Sequence, residues 1–333
     1  MVNGGAHRGS PCCTLPRSSV TVYRIISLFS GCGGLDYGLK AAGNEIVWAN
    51  DMDRDAVATY RRNVDARIVR GDIKDIDAES IPAGDVVVGG FPCQGFSLAN
   101  LKRQVEDARN RLYSFFYQTI KAKQPKFFIA ENVKGILSLG KGEIIKQIVS
   151  DFANAGYLVE VHLVNMADYG VPQTRQRVII VGQRKDLADE MLFRFPVKTH
   201  SKHPKGNEKR WVSIQAALAH FPEPSEACGI PNHVGSQYKI AVRNFTGHRP
   251  TNPELPSPTI LARGNGGGGV VAIPHYNGLR RLTIRESATI QTFPEDFVFI
   301  GSNGSCYRQV GNAVPVLFGK LLGDELVRLS NRV

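Results

Sequence analysis

Nowhere in this 333-residue chain do apolar residues run on long enough to span a bilayer. The opening segment, MVNGGAHRGSPCCTLPRSSV, also lacks the apolar stretch of a secretory signal, and residues 1–20 are expected to form a disordered leader. Cysteine is sparse, with six residues at 12, 13, 32, 93, 228 and 306. No C-x-x-C, H-x-E or H-E-x-x-H occurs, so a zinc site of the usual spacings is excluded and no metal is expected. Two of the cysteines are adjacent and the rest scattered, which argues against a disulfide framework and fits a reducing compartment. Acidic residues are outnumbered, leaving a net charge of +11. That excess favours a polyanionic partner such as nucleic acid, the alternative being an enzyme that is merely basic. No internal repeat is present.

What is present is an alternation of short apolar runs and amphipathic stretches. YRIISLF (23–29), EIVWAN (45–50), ARIVRGD (66–72), DVVVGG (85–90), KFFIAENV (126–133), YLVEVHLVN (157–165) and RVIIVGQR (177–184) read as strands. Helical segments such as LDYGLKAAG and DRDAVATYRRN fall between most of them. The pattern predicts an α/β fold with a doubly wound, mostly parallel sheet, whose sites lie at the carboxyl ends of the strands. After about residue 190 the rhythm breaks into a stretch rich in Pro, Gly, His and Arg, read as a smaller irregular domain. Helical periodicity returns at 314–329, which is expected to pack back on the first domain.

The first strand runs into FSGCGG. A dinucleotide fingerprint needs a third glycine at 36, where Asp36 stands, so a dehydrogenase is disfavoured. The second strand ends at Asn50-Asp51, where an acid can accept bonds from ribose hydroxyls, and the third ends at Asp72, where an adenine amino group can be read. Either acid alone reads equally as a helix cap or a solvated residue. In this order the three features suggest a nucleoside cofactor without a pyrophosphate. The fourth strand leads into GGFPCQGFS, with Cys93 at the place where such folds do chemistry. A thiolate there is a strong nucleophile, whereas an isolated cysteine is by default a core filler; the neighbours Pro92, Gln94 and Ser97 favour the first reading. The fifth strand opens Glu131 and Asn132 into the same cleft, where a carboxyl can act as a general acid, although Glu131 alone reads as a surface residue. In GVPQTRQRVIIVG, Arg175 and Arg177 alternate and share one face, suited to oxygen ligands or, for one of them, to an ion pair with a neighbouring acid.

Taken together, SLFSGCGGLDYG, AND, GDI, GGFPCQGFS, FIAENVKG, GVPQTRQRVIIVG, RRLTIRESATIQTFPEDF and GNAVP resemble, in order, the blocks of bacterial restriction–modification DNA (cytosine-5) methyltransferases. The resemblance runs from Arg24 to the C-terminal helix. It implies a Rossmann-like catalytic domain over 21–190 plus 306–333, with a target-recognition domain and hinge over 191–305. It implies that Phe29, Ser30, Gly31, Gly33 and Gly34 hold S-adenosylmethionine, that Asp51 binds its ribose and that Met52 packs on adenine, where the family often has an aromatic residue. Asp72 and Ile73 would touch the adenine edge, and Asn312 and Ala313 would line the methionine end. Cys93 would add to C6 of a flipped-out cytosine while Glu131 gives a proton or hydrogen bond at N3, making C5 nucleophilic. Arg177 would bond the cytosine O2, Arg175 would steady the active-site loop, and Asn132 belongs to the same catalytic set.

On the nucleic-acid side, Gln94 and Ser97 are expected beside phosphates. The basic stretch 98–112, with Lys102, Arg103, Arg109 and Arg111, is expected to close over DNA, the competing reading being a solvated face. Arg243, His248, Arg249 and Arg263 are candidates for DNA contact in the small domain, near Pro258-Thr259-Ile260 and the glycines at 266–269. Arg281 would organise that domain. The partners implied are double-stranded DNA and a cognate restriction endonuclease, with a cytoplasmic monomer expected. A transfer-RNA cytosine methyltransferase is the nearest rival, but its Cys-Phe-Thr tripeptide is replaced here by Asn244-Phe245-Thr246. A zinc nucleobase deaminase lacks its ligands in this chain. A catalytically dead DNA-binding or scaffold protein is expected to have lost Cys93, Glu131 or Arg177, all of which are kept.

Overall fold

A computed structural model describes residues 22–92, 111–188, 192–235, 251–262, 273–278 and 280–330. The leader, Cys93, Gln94, Ser97, Lys102, Arg103, Arg109, Arg243, His248, Arg249 and Arg263 lie outside the described residues, as does the side chain of Arg111.

The strands are β1 (Arg24–Leu28), β2 (Glu45–Asp51), β3 (Ile68–Arg70), β4 (Val86–Gly89), β5 (Phe127–Val133), β6 (Tyr157–Asn165), the two-residue β7 (Gln173–Thr174) and β8 (Gln176–Arg184). Seven of them build one sheet in the order β3-β2-β1-β4-β5-β8-β6. The strands from β3 across to β5 pair in parallel. β8 runs antiparallel to both β5 and β6. Residues 166–175 explain the reversal: they form a short connection, and antiparallel neighbours can be joined briefly where a parallel pair needs a crossover. The order of strands reverses between β1 and β4, so a crevice opens at their carboxyl ends.

The central parallel strands are apolar along most of their length, and successive residues feed opposite faces. Ile25 and Ile129 belong to one core, shared with Leu39, Phe293 and Phe318, whereas Ile26 and Phe128 belong to the other, with Trp48, Phe116 and Phe152. Helix α1 (Gly34–Ala41) follows the glycine turn, and α2 (Arg54–Asn63) is capped by Asp53, whose carboxylate accepts the N–H groups of Asp55 and Ala56. Then follow α3 (Arg111–Lys123), α4 (Glu143–Asn154), α5 (Ile214–Leu218), α6 (Ile284–Ile290), α7 (Asn303–Asn312) and α8 (Val316–Ser330). Thr283 and Glu286 close a reciprocal capping box on α6.

The irregular region does not carry a separate core among the described residues. Ile214, Leu218, Ile260 and Leu282 join the same apolar cluster as β1 and α1. The expected domain boundary between 305 and 306 also falls inside the continuous helix α7. Arg285 ties this region together from within, its buried guanidinium donating to the carbonyls of Pro231, Pro294 and Phe297. No helix among the described residues is long and apolar enough to cross a membrane.

Helix α8 packs back on α1, as the periodicity of 314–329 leads one to expect, and the seam is made of glycine. A Cβ added at Gly38 would stand 2.5 Å from the Lys320 backbone nitrogen and against the Val316 carbonyl. Backbone on both sides cannot give way. Gly38→Ala gains up to about 1 kcal/mol of helix propensity but incurs about 1–3 kcal/mol of overpacking, so a net loss is expected. Thermal unfolding should show a lowered midpoint.

Candidate active site

A single continuous cavity of about 560 Å³ lies over the carboxyl ends of β1, β2, β4 and β5, within the usual range for a small-molecule site. It is lined by Phe29, Ser30, Gly31, Gly34, Asp51, Met52, Asp72, Ile73, Asn312 and Ala313, all singled out from the sequence for a cofactor. Glu131, Asn132, Arg175 and Arg177 line the same cavity, as does Pro92, the residue immediately before Cys93.

The glycine turn is pinned to the end of β2. Gly31 N–H donates to one Asp51 oxygen and Asp53 N–H to the other, both at 2.8 Å. Burial raises the Asp51 pKa, against which these backbone bonds act. Asn50 extends the stitching by donating to the carbonyls of Val69 and Gly71, which sets Asp72 beside Asp51. Asp72 also caps the short turn that follows and pairs with Lys74 at 3.0 Å. Phe29 holds a φ of 55°, an uncommon conformation for an aromatic residue and one that concentrates at functional sites. The space above Gly31 and Gly71 is open, since an added Cβ at either meets nothing within 4 Å. Gly33 differs from its expected role: it is absent from the lining, and a Cβ there would strike Tyr60 and Val64, so its φ of 90° serves the turn into α1.

At the other end of the cavity, Arg177 Nε lies 2.7 Å from Glu131 Oε1. The antiparallel register makes this pair, because it sets Arg177 opposite Val133, two residues from Glu131 on β5. Asn132 points elsewhere. Its side-chain amide donates to the Phe91 carbonyl at 2.9 Å and so fixes the backbone that leads into Pro92.

Arg175 is buried away from solvent. It is 1% exposed, and its guanidinium donates to the carbonyls of Ile260, Gly311 and Ala313 at 3.0–3.1 Å. Its described contacts hold the C-terminal segment and the stretch around Ile260, and the active-site loop is outside the described residues. Burial, with Arg177 nearby, pushes its pKa down to about 9, so it stays charged at neutral pH. Gln173 works beside it: its amide donates to Gln291 and its oxygen accepts Ile260 N–H, while Gln291 donates to the carbonyls of Val310 and Ala313.

Several lining residues escape a reading of the sequence. Arg308 on α7 donates to Asp53 at 2.8 Å and so joins the C-terminal segment to the end of β2. Asp53 carries an N-cap signal in its position before a helical run, but nothing local marks Arg308. Asp36 lines the floor, accepting from Ser27 Oγ at 2.9 Å and Tyr60 OH at 2.7 Å.

An open glycine turn with acids at the ends of the next two strands, on a sheet with one reversed strand, is the arrangement of the Rossmann-like S-adenosylmethionine-dependent methyltransferases. The chain belongs to the family of C-5 cytosine-specific DNA methylases, whose model matches residues 23–328. It is 39% identical to the type II methyltransferase M.NgoFVII of Neisseria gonorrhoeae, over 90% of this chain and 84% of that protein. It is 37% identical to M.FnuDI of Fusobacterium nucleatum, over 88% and 91% of the respective chains. Among solved structures it is similar to a provisionally assigned DNA modification methyltransferase encoded within an E. coli prophage, with a TM-score of 0.70, 25% identity, and coverage of 93% and 99%.

The buried hub yields a direct test. Arg175→Met keeps the volume but leaves the buried carbonyls of Ile260 and Gly311 without a donor, at about 1–3 kcal/mol each if unsatisfied, while Ala313 keeps the bond from Gln291. Chemical denaturation should report a loss of at least about 2 kcal/mol, far beyond the effect of an exposed arginine.

Proposed function

We propose that the chain methylates C5 of a flipped-out cytosine within a specific duplex sequence, as the modification partner of a restriction endonuclease acting on the same site. The observation that carries the assignment of roles is the Glu131–Arg177 ion pair, in the same cavity wall as Pro92. Cys93 is bonded to that proline and is the attacking thiolate, adding to C6. Glu131 and Arg177 keep each other in place until the base arrives; Glu131, once it has taken up a proton from solvent, donates to N3 of the cytosine, and Arg177 bonds O2. The cavity fits the family's cofactor in its open glycine turn, its acid at the end of β2 and its length from Ile73 to Asn312. When bound, S-adenosylmethionine supplies an electrophilic sulfonium methyl group. Asp51 holds the ribose, Asp72 and Ile73 the adenine edge, and Asn312 and Ala313 the methionine end. The likeness to relatives named type II methyltransferases supports double-stranded DNA as the substrate, and the net charge of +11 agrees with it. A cytoplasmic monomer acting on resident DNA follows from the same reading.

Duplex DNA carrying 5-fluorocytosine tests the assignment, because fluorine at C5 blocks the final elimination. With S-adenosylmethionine present, the protein should form a covalent adduct on DNA that resists denaturation and disappears in Cys93→Ser, while cofactor binding persists. Adducts on transfer RNA and on no DNA would overturn the DNA assignment. Neutralising Lys102, Arg103 and Arg109 together should lessen the steepness of the salt dependence of DNA affinity, by about one unit of log slope for each phosphate no longer bound.

A further inference from the structure

We propose that Asp36 forms an anionic floor to the cofactor cavity that selects the cationic sulfonium donor over its neutral thioether product. The proposal rests on the cofactor reading above and concerns a residue that no role in it requires. Asp36 lines the cavity yet is 1% exposed. Its hydrogen-bond donors Ser27 Oγ and Tyr60 OH are both neutral, and among the described residues no cation lies within ion-pair range of it.

The surrounding elements leave the charge isolated. From the glycine turn Cys32 faces it, and from α2 Tyr60; the field of Asp36 helps push both of these groups up, so both are neutral at pH 7. On α1 itself, Lys40 turns away to the Val64 carbonyl and to Asp65. Arg308, on the opposite wall, is engaged by Asp53. Two further acids act on these neighbours, Asp51 on Cys32 and Asp65 on Tyr60, and both add to the negative field. Burial is the main influence on Asp36 and pushes its pKa up to about 6, against the two hydrogen bonds.

A buried carboxylate without a cation is costly, and one kept only for its two hydrogen bonds would be served as well by a neutral isostere. A cationic ligand in the cavity supplies the missing charge. Donor and product share the same ammonium and carboxylate, but the thioether sulfur left after methyl transfer carries no charge, so the same floor favours release of product. The sign follows from linkage. A carboxyl group with a raised pKa binds a proton in the folded state that the unfolded chain has released, so the stability of the ligand-free protein falls as pH rises from about 4 to 6. Preference for the sulfonium runs the opposite way, being present above about pH 6 and lost below it as Asp36 becomes neutral.

Calorimetric titration of the full chain with S-adenosylmethionine and S-adenosylhomocysteine tests this. In Asp36→Asn the affinity for the sulfonium should fall by about tenfold while that for the thioether changes by less than about threefold, an interaction of the size expected for unit charges about 10 Å apart in protein. In the unsubstituted protein the ratio of the two affinities should drop as pH is lowered through about 6. Tyr60→Phe, which removes a hydrogen bond that favours the ionised form, should move that midpoint upward. Equal losses for both ligands in Asp36→Asn, a ratio flat from about pH 5 to 8, or a midpoint unmoved by Tyr60→Phe each overturns the proposal. The last two outcomes decide it even if Asp36→Asn does not fold. If the unsubstituted protein binds neither ligand, the cofactor reading itself fails, and with it the floor.

Discussion

Three carbonyl groups that the fold brings together from distant parts of the chain share one guanidinium. Ile260 comes from the irregular region and Gly311 and Ala313 from the C-terminal segment, and Arg175 between β7 and β8 holds all three. Each carbonyl is buried, and water is excluded from the hub, so an arginine with its planar fork of donors is well suited to satisfying them together. Gln173 and Gln291 complete the arrangement with neutral bonds. The cavity wall at Asn312 and Ala313 depends on this hub, because the backbone that presents those residues is fixed by it. So does the relation of the region around Ile260 to the sheet.

The two ends of the cavity use charge differently. Glu131 and Arg177 form an ion pair, each polar group meeting its opposite before any substrate is present. The floor and the β2 end instead hold two carboxylates whose hydrogen-bond partners are neutral hydroxyls or backbone N–H groups. One end is balanced in charge, and the other carries an excess of negative charge.

Most of the fold is legible in the residues because parallel strands covered on both faces announce themselves as apolar runs; all seven strands of the sheet coincide with such runs to within a few residues. The direction of β8 is not legible, since an apolar strand reads alike in either sense and only the brevity of 166–175 decides it. The cavity's cofactor residues are marked by their order along the chain and by a resemblance spanning nearly all of it. Gly33 reads as a ligand contact because it sits in the same turn, although its left-handed backbone answers to Tyr60 and Val64. Asp36 shows in the sequence only as the residue that breaks a glycine pattern; nothing local reveals that Ser27 and Tyr60 bury it. Arg175 and Arg177 are legible as neighbours, but their different partners depend on long-range pairing that alternation cannot reveal.

The packing of α8 on α1 brings residues near the start of the fold against residues near its finish. The turn at 29–34 receives its opposite wall from 308–314, so the cavity exists only where these two distant segments of the chain have met. A fault at the seam between α1 and α8 is thereby felt at the cavity, although neither Gly38 nor Lys320 lines it.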